Sequence, residues 1–141
     1  MLSDHNQSVV NVINRLGLEY QVLGSGSPSS QIVVIAEFPG EAECQLKMPL
    51  VGGSGRYLWE QLGKVGIKRE QCYITNVVKK KLTEEANSNK KVLPKEEMQK
   101  WHAVLREELS LLPAAKYVLV LGNVALEALT GHTGITNRRG S

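Results

Sequence analysis

Hydrophobic positions along the chain fall into short blocks whose spacing alternates between helical and extended. Val9, Val12, Ile13 and Leu16 recur at intervals of three and four, which predicts a helix that stops at Gly17. GSGSPSS, residues 24–30, offers nothing that a packed element could bury and reads as a loop. Too little chain precedes it to hold a separate core, so it marks no domain boundary. QIVVIA, residues 31–36, is a continuous β-branched run, as expected of a strand covered on both faces. EFPGEAE, residues 37–43, reads as a loop, because Pro39 and Gly40 interrupt either regular element. GGSG, residues 52–55, leads into a helix with Ser54 as candidate N-cap, Leu58, Leu62 and Val65 as buried stripe and Gly66 as stop.

CYITNVV, residues 72–78, is the second strand candidate, followed by the basic KKKL, residues 79–82, and a polar loop. Pro94 suits a first helical position, and Met98, Trp101, Leu105, Leu109 and Leu112 share one face of the helix after it. YVLVL, residues 117–121, is a third strand; Gly122 then turns into a short helix on Val124, Ala125, Ala128 and Leu129, before a polar, basic tail, residues 131–141. Strands alternating with helices predict one α/β domain over residues 1–141, a three-layer αβα arrangement around a mainly parallel sheet. Such sheets bind ligands at the carboxyl ends of their strands. Here those ends gather the loops 37–53 and 79–93 and the turn after Leu121.

Composition agrees with a folded domain. At 141 residues the chain can bury a core without disulfides or metals, and its 42% hydrophobic and 22% charged residues exclude a disordered tail or a coiled coil. A net charge of +3 permits nucleic acid as a partner without requiring it. No run of 18 apolar residues exists, so no membrane-spanning helix and no membrane partner are expected. The first residues carry neither a basic n-region nor an apolar signal core. Cys44 and Cys72 lack metal-site spacing and read as free thiols of a reducing, cytoplasmic compartment.

Three features could carry chemistry. Glu37, Glu41 and Glu43 surround the Pro39–Gly40 turn beyond a buried strand. They could hold a carboxylate over a ligand and orient a water, or they could form an ordinary acidic surface loop. Asn76 lies near the end of the second strand between apolar neighbours, where its amide must be satisfied. It could read the edge of a nucleobase or tie down the adjacent loop. Lys79, Lys80, Lys81, Lys90, Lys91, Arg138 and Arg139 could attract phosphates or merely keep a face solvated. Phe38, Tyr57, Trp59 and Tyr73 are the available stacking rings, whereas Trp101 falls on a core stripe. His5, His102 and His132 are scattered, and neither a P-loop, a dinucleotide fingerprint nor a nucleophile elbow occurs.

The ordered series AEFPGEAE (36–43), MPLVGGSGRYLWEQLGKVGI (48–67), CYITNVVK (72–79), LPKEEM (93–98), YVLVLGNVAL (117–126) and ITNRRG (135–140) resembles the uracil-DNA glycosylase superfamily. The likeness is to the branch that usually carries an iron–sulfur cluster, which reads G-E-x-P-G-x-x-E, P-F-V-G-x-x-G and Y-I-T-N-V-V-K-C. It covers about residues 31–141. Similar domains are fused to, or associated with, some phage DNA polymerases.

The resemblance implies a base pocket formed by Glu37, Phe38, Pro39, Gly40, Leu50 and Asn76, with Glu41 or Glu43 orienting water. It makes Asn76 the reader of the uracil edge. Departures accompany it: Ala36 replaces the first glycine, Phe38 fills a normally small position, and Leu50 replaces the phenylalanine that stacks on uracil. A leucine has no π-face, so stacking is weakened. The branch places a first cysteine pair before residues 31–36, where this chain has GSGSPSS, and further cysteines at position 80 and near position 101, which hold Lys80 and Trp101, so no cluster and no other cofactor is expected. A further strand and a His-Pro-Ser loop would follow R-G in the family, so Ser141 is read as the end of a C-terminally truncated domain or of one without that motif. The expectation is therefore a glycosylase-like DNA-binding or accessory domain of repair or replication, without full catalytic activity. It would be part of, or bound to, a phage DNA polymerase, in the cytoplasm, at the nucleoid or in a phage-infected cell. The alternative is an active glycosylase that hydrolyses the bond to a flipped uracil.

Overall fold

The computed structural model describes residues 2–82 and 93–121. Lys90, Lys91, the helix expected at 124–129, His132, Arg138 and Arg139 lie outside the described residues.

Helix α1, Asp4–Arg15, starts where the Ser3 hydroxyl accepts from the Asn6 N–H, and it buries Val9, Val10, Val12 and Ile13. Strand β1, Ile32–Ala36, is buried along almost its whole length. Helix α2, Glu41–Leu46, begins inside the segment read as a loop. Pro39 and Gly40 end the extended chain, but Gly40 then serves as an N-cap, so Glu41 and Glu43 stand in a first turn. Helix α3, Gly53–Gly63, is capped at Gly52 rather than Ser54 and ends before Gly66. Val65, expected in its buried stripe, is exposed, while Leu58 and Leu62 are half-buried. A 3-10 turn, Arg69–Gln71, precedes strand β2, Cys72–Asn76. The hydrogen bonding of β2 continues past its end, Val77 N–H to Ala36 O and Val78 N–H to Glu37 O, which is why the sequence reads as strand to residue 78. Helix α4, Lys95–Ser110, has Pro94 as its N-cap residue rather than its first helical residue. Strand β3, Tyr117–Val120, completes the described sheet.

The three described strands pair in parallel, in the order β2-β1-β3, with Ala36 opposite Asn76 at the carboxyl edge. Residues 21–25 cover the outer edge of β2: Ser25 and Ile74 exchange both backbone hydrogen bonds, and Lys79 O accepts from the Gln21 and Val22 amides. An otherwise open strand edge is thereby paired.

Alternation along the strands divides the core. Val33, Ile35, Tyr73 and Val77 face α1 and α4, where Val12, Ile13, Trp101, Val104 and Leu105 complete one cluster. On the other side, Val34, Ala36, Cys72 and Ile74 pack with Leu50 and with Leu58 and Trp59 of α3. The sheet thus lies between two helical layers, an α/β arrangement as expected. By the same parity, Asn76 belongs to the face that carries Ala36 and Leu50.

Candidate functional site

Three segments meet at the carboxyl edge of β1 and β2: residues 37–43, 49–52 and 76–82. Glu43 joins the first two. Its Oε1 accepts from the Gly40 N–H at 3.0 Å, and its Oε2 accepts from the Val51 and Gly52 N–H groups at 3.0 and 2.7 Å. Burial pushes this carboxyl up, but the amides of Gly52, Gly40 and Val51 outweigh it and hold the group below the ordinary carboxylate range. With both oxygens occupied by backbone donors, Glu43 fixes a loop and is a poor choice for orienting water.

Residues 49–52 are held from the opposite side as well. Arg69 donates to Pro49 O at 2.6 Å and to Leu50 O at 3.0 Å, and Trp59 Nε1 donates to Leu50 O at 3.2 Å. The guanidinium carbon also lies 5.4 Å from the Trp59 ring centroid. Leu50 has φ +53°, a left-handed conformation that costs a non-glycine residue about 1–2 kcal/mol. Gly55 permits this: a Cβ there would lie 2.2 Å from Leu50 O. The strain is retained because donors on one side and acceptors on the other leave the loop one arrangement. Leu50 itself is buried against Ala36 and Ile74.

Glu41 is exposed and pairs with Lys81, and Gln45 donates to it at 3.2 Å. The hydrogen bond and charge of Lys81 hold its carboxyl below the ordinary range. Glu37 is half-buried, and its carbonyl accepts from Val78. Phe38 packs toward the α1–α4 core, Pro39 is buried and Gly40 is exposed.

Asn76 is 3% exposed, and its Nδ2 has no hydrogen-bond partner among the described residues. Its backbone carbonyl accepts from Lys79 Nζ at 2.5 Å. Lys79 corrects the sequence reading. Expected at a phosphate, it is fully buried and paired with Glu108 at 2.7 Å. Strand parity could not foresee this, since Lys79 lies beyond β2 and turns back under it. Tyr73, a candidate stacking ring, is also buried, and its hydroxyl donates to Glu108 at 2.5 Å. Burial and the Glu108 charge push that hydroxyl far up, so it keeps its proton. Glu108, Arg69 and Trp59 as a second-layer frame had no local signal, because each acts on a residue at least nine positions away.

Lys80 and Lys81 remain toward solvent, each ion-paired: Lys80 with Glu97 at 2.8 Å, Lys81 with Glu41. Trp101 Nε1 donates to the same Glu97 oxygen at 3.2 Å. Two of the places at which the resemblance puts cluster cysteines, position 80 and the neighbourhood of Trp101, are therefore joined through a carboxylate. The chain holds two cysteines, Cys44 and Cys72, and cannot supply four thiolates. Cys72 is buried with its Sγ against Lys68 O, and burial pushes both thiols up. Among the described residues no group of three or more His, Cys, Asp or Glu could hold a metal. The donor set does not fit an iron–sulfur cluster.

Comparison with known proteins agrees with this framework. The chain is 47% identical over 58 residues to a type-4 uracil-DNA glycosylase of Thermotoga maritima, covering 41% of this chain and 30% of that protein. It is 43% identical over 58 residues to the type-4 enzyme of Archaeoglobus fulgidus, covering 41% of this chain and 29% of that one. Over a longer stretch of 108 residues it is 29% identical to the type-4 enzyme of Pyrobaculum aerophilum, covering 77% of this chain and 52% of that protein. The chain thus spans about half or less of the length of the curated relatives it matches. Residues 23–140 match the family model of the uracil DNA glycosylase superfamily, and the chain belongs to that superfamily.

Proposed function

We propose that the chain is a glycosylase-like DNA-binding domain of DNA repair or replication that receives an extrahelical uracil at the carboxyl edge of its sheet and hydrolyses its N-glycosidic bond slowly or not at all. The observation that carries this reading is the Asn76 amide, buried with its Nδ2 unpartnered among the described residues. Leaving a buried donor unmade costs about 1–3 kcal/mol, and a pyrimidine carbonyl in the pocket would relieve that cost. Glu37, Phe38, Pro39, Gly40 and Leu50 belong to the same edge and would bound the base. Slow hydrolysis follows from the carboxylates: Glu43 is committed to three amides and Glu41 to Lys81. Leu50 adds volume without a stacking face.

Phosphates would be met by Lys80 and Lys81, and by Lys90, Lys91, Arg138 and Arg139. A DNA polymerase is the protein partner we assign by resemblance, in the cytoplasm, at the nucleoid or in a phage-infected cell; pull-down with a purified polymerase tests it. No helix among the described residues is long and apolar enough to cross a membrane.

The deciding experiment uses matched oligonucleotides with one uracil or one cytosine, whose amino group replaces the O4 acceptor. Fluorescence anisotropy should show tighter binding to the uracil strand, and alkali should reveal little strand cleavage. Abundant abasic product would favour the second reading, an active glycosylase, which the retained Asn76 donor supports. Equal affinity for both strands would remove the base-binding reading.

A further inference from the structure

On the side of β2 away from Leu50, a chain of buried polar groups ends at the residue proposed to read the base. Tyr73 and Glu108 are 1% and 0% exposed, and Lys79 is fully buried. Glu108 accepts from Tyr73 through Oε2 and from Lys79 through Oε1. Lys79 Nζ directs a second donor to the backbone oxygen of Asn76. At the far end, His5 Nε2 lies 2.8 Å from the Tyr73 hydroxyl. Because that hydroxyl gives its proton to Glu108, the His5 Nε2–H is the donor. Gly24 closes over the network: a Cβ there would fall 2.3 Å from Tyr73 Oη and 2.8 Å from Glu108 Oε2. The backbone must approach this closely to seal the ion pair from water.

A buried ion pair is a poor source of stability, because desolvation cancels much of its attraction and an apolar pair of similar volume often serves as well. Its geometric product here is specific. The Asn76–Val77 peptide is gripped by Lys79 through its oxygen and by Ala36 O through the Val77 N–H. The Asn76 side chain projects to the opposite face with its Nδ2 unpartnered among the described residues. We infer that the Tyr73–Glu108–Lys79 chain is a positioning device that sets the Asn76 amide for the base, with Lys79, Glu108 and Tyr73 as positioning residues that touch no substrate. This rests on Asn76 as the base reader proposed above.

The test is the full chain carrying Lys79→Met together with Glu108→Met, which removes the tether without leaving a buried charge unpaired. Tyr73→Phe serves as the second variant, because it deletes one hydroxyl and keeps the ring. Two readouts are followed after circular dichroism and melting show a folded protein: the uracil-to-cytosine affinity ratio, and the Asn76 side-chain amide signals in a nitrogen-15 correlation spectrum. Positioning predicts that the ratio falls about fivefold to tenfold, as expected for one misplaced hydrogen bond. Affinity for the cytosine strand should stay as it was, while the Asn76 signals shift. In Tyr73→Phe both changes should be smaller and in the same direction. A purely structural network would alter melting alone, and unchanged Asn76 signals and ratio in a folded double variant would overturn the inference. Should the unsubstituted chain not distinguish uracil from cytosine, base reading fails by itself, and the Asn76 signals still decide whether the network holds that residue.

Discussion

Glu43 has a measurable consequence at the scale of one side chain. Its carboxylate satisfies amides at positions 40, 51 and 52, which otherwise end in loops. Glu43→Ala should lower stability by about 1–3 kcal/mol, read from chemical denaturation, because those donors lose a charged acceptor. The pH dependence has a definite sign. The folded pKa is depressed, so the contribution is present above the unfolded carboxylate value of about 4.3 and is lost as pH falls through the lower folded value. Glu43→Gln should flatten the acid limb of a melting-temperature profile between about pH 5 and 3; an unchanged limb would show that the carboxylate is not the clamp. The three carboxylates were legible in EFPGEAE, but their roles were not. Two of the three amides that claim Glu43 lie eight and nine residues downstream, and only the fold brings them to it. The burial of Asn76 was legible from its apolar neighbours in the strand, while its role was left between reading a base and tying down the adjacent loop. Lys79 was misread because its charge suggests the surface, and its partner Glu108 follows 29 residues later on α4.

Among elements, strands and the long helix α4 were readable because burial writes periodicity into sequence: Trp101 and Leu105 do line its inner face, and Leu112 is buried just beyond its end. Helices α2 and α3 were less so. Their N-termini are capped by Gly40 and Gly52, and the Gly52 amide is bonded by a carboxylate from α2, so Ser54 as a local cap signal misleads. The link between the end of β2 and α4 is the second place where elements depend on one residue. Glu97 joins Lys80 to Trp101, and burial, which pushes its carboxyl up, is outweighed by Lys80 and the Trp101 N–H. A double-mutant cycle of Lys80→Met and Glu97→Gln should return a coupling of about 0.2–1 kcal/mol, the range for a partly exposed pair. The same preparation, expressed in iron-replete medium, should contain no stoichiometric iron or acid-labile sulfide. A full complement of iron would show that residues of this chain form a site despite having only two thiols.

For the whole molecule the question is how a net charge of +3 serves a polyanion. The excess is small, and at the site edge it is masked: Lys81 is paired with Glu41 and Lys80 with Glu97. Binding DNA must exchange carboxylate partners for phosphates, so affinity is set by how readily those pairs open. Glu41 distinguishes two accounts of the acidic loop. As a counter-charge, its removal frees Lys81 for phosphate. Glu41→Gln should then tighten binding to uracil and cytosine strands alike, and Lys81→Met should weaken both and reduce the slope of log affinity against log salt by about one. The uracil-to-cytosine ratio should stay constant in both variants, since Asn76 sits on the sheet and not on this rim. As a water-orienting carboxylate, Glu41 would behave otherwise: its neutralisation would leave affinity nearly unchanged and abolish whatever abasic product the parent chain forms. Anisotropy titrations at several salt concentrations, beside alkaline cleavage of the same oligonucleotides, separate the two. Loss of product without a gain in affinity would assign Glu41 to hydrolysis and require Lys81 to find its phosphate with the pair intact.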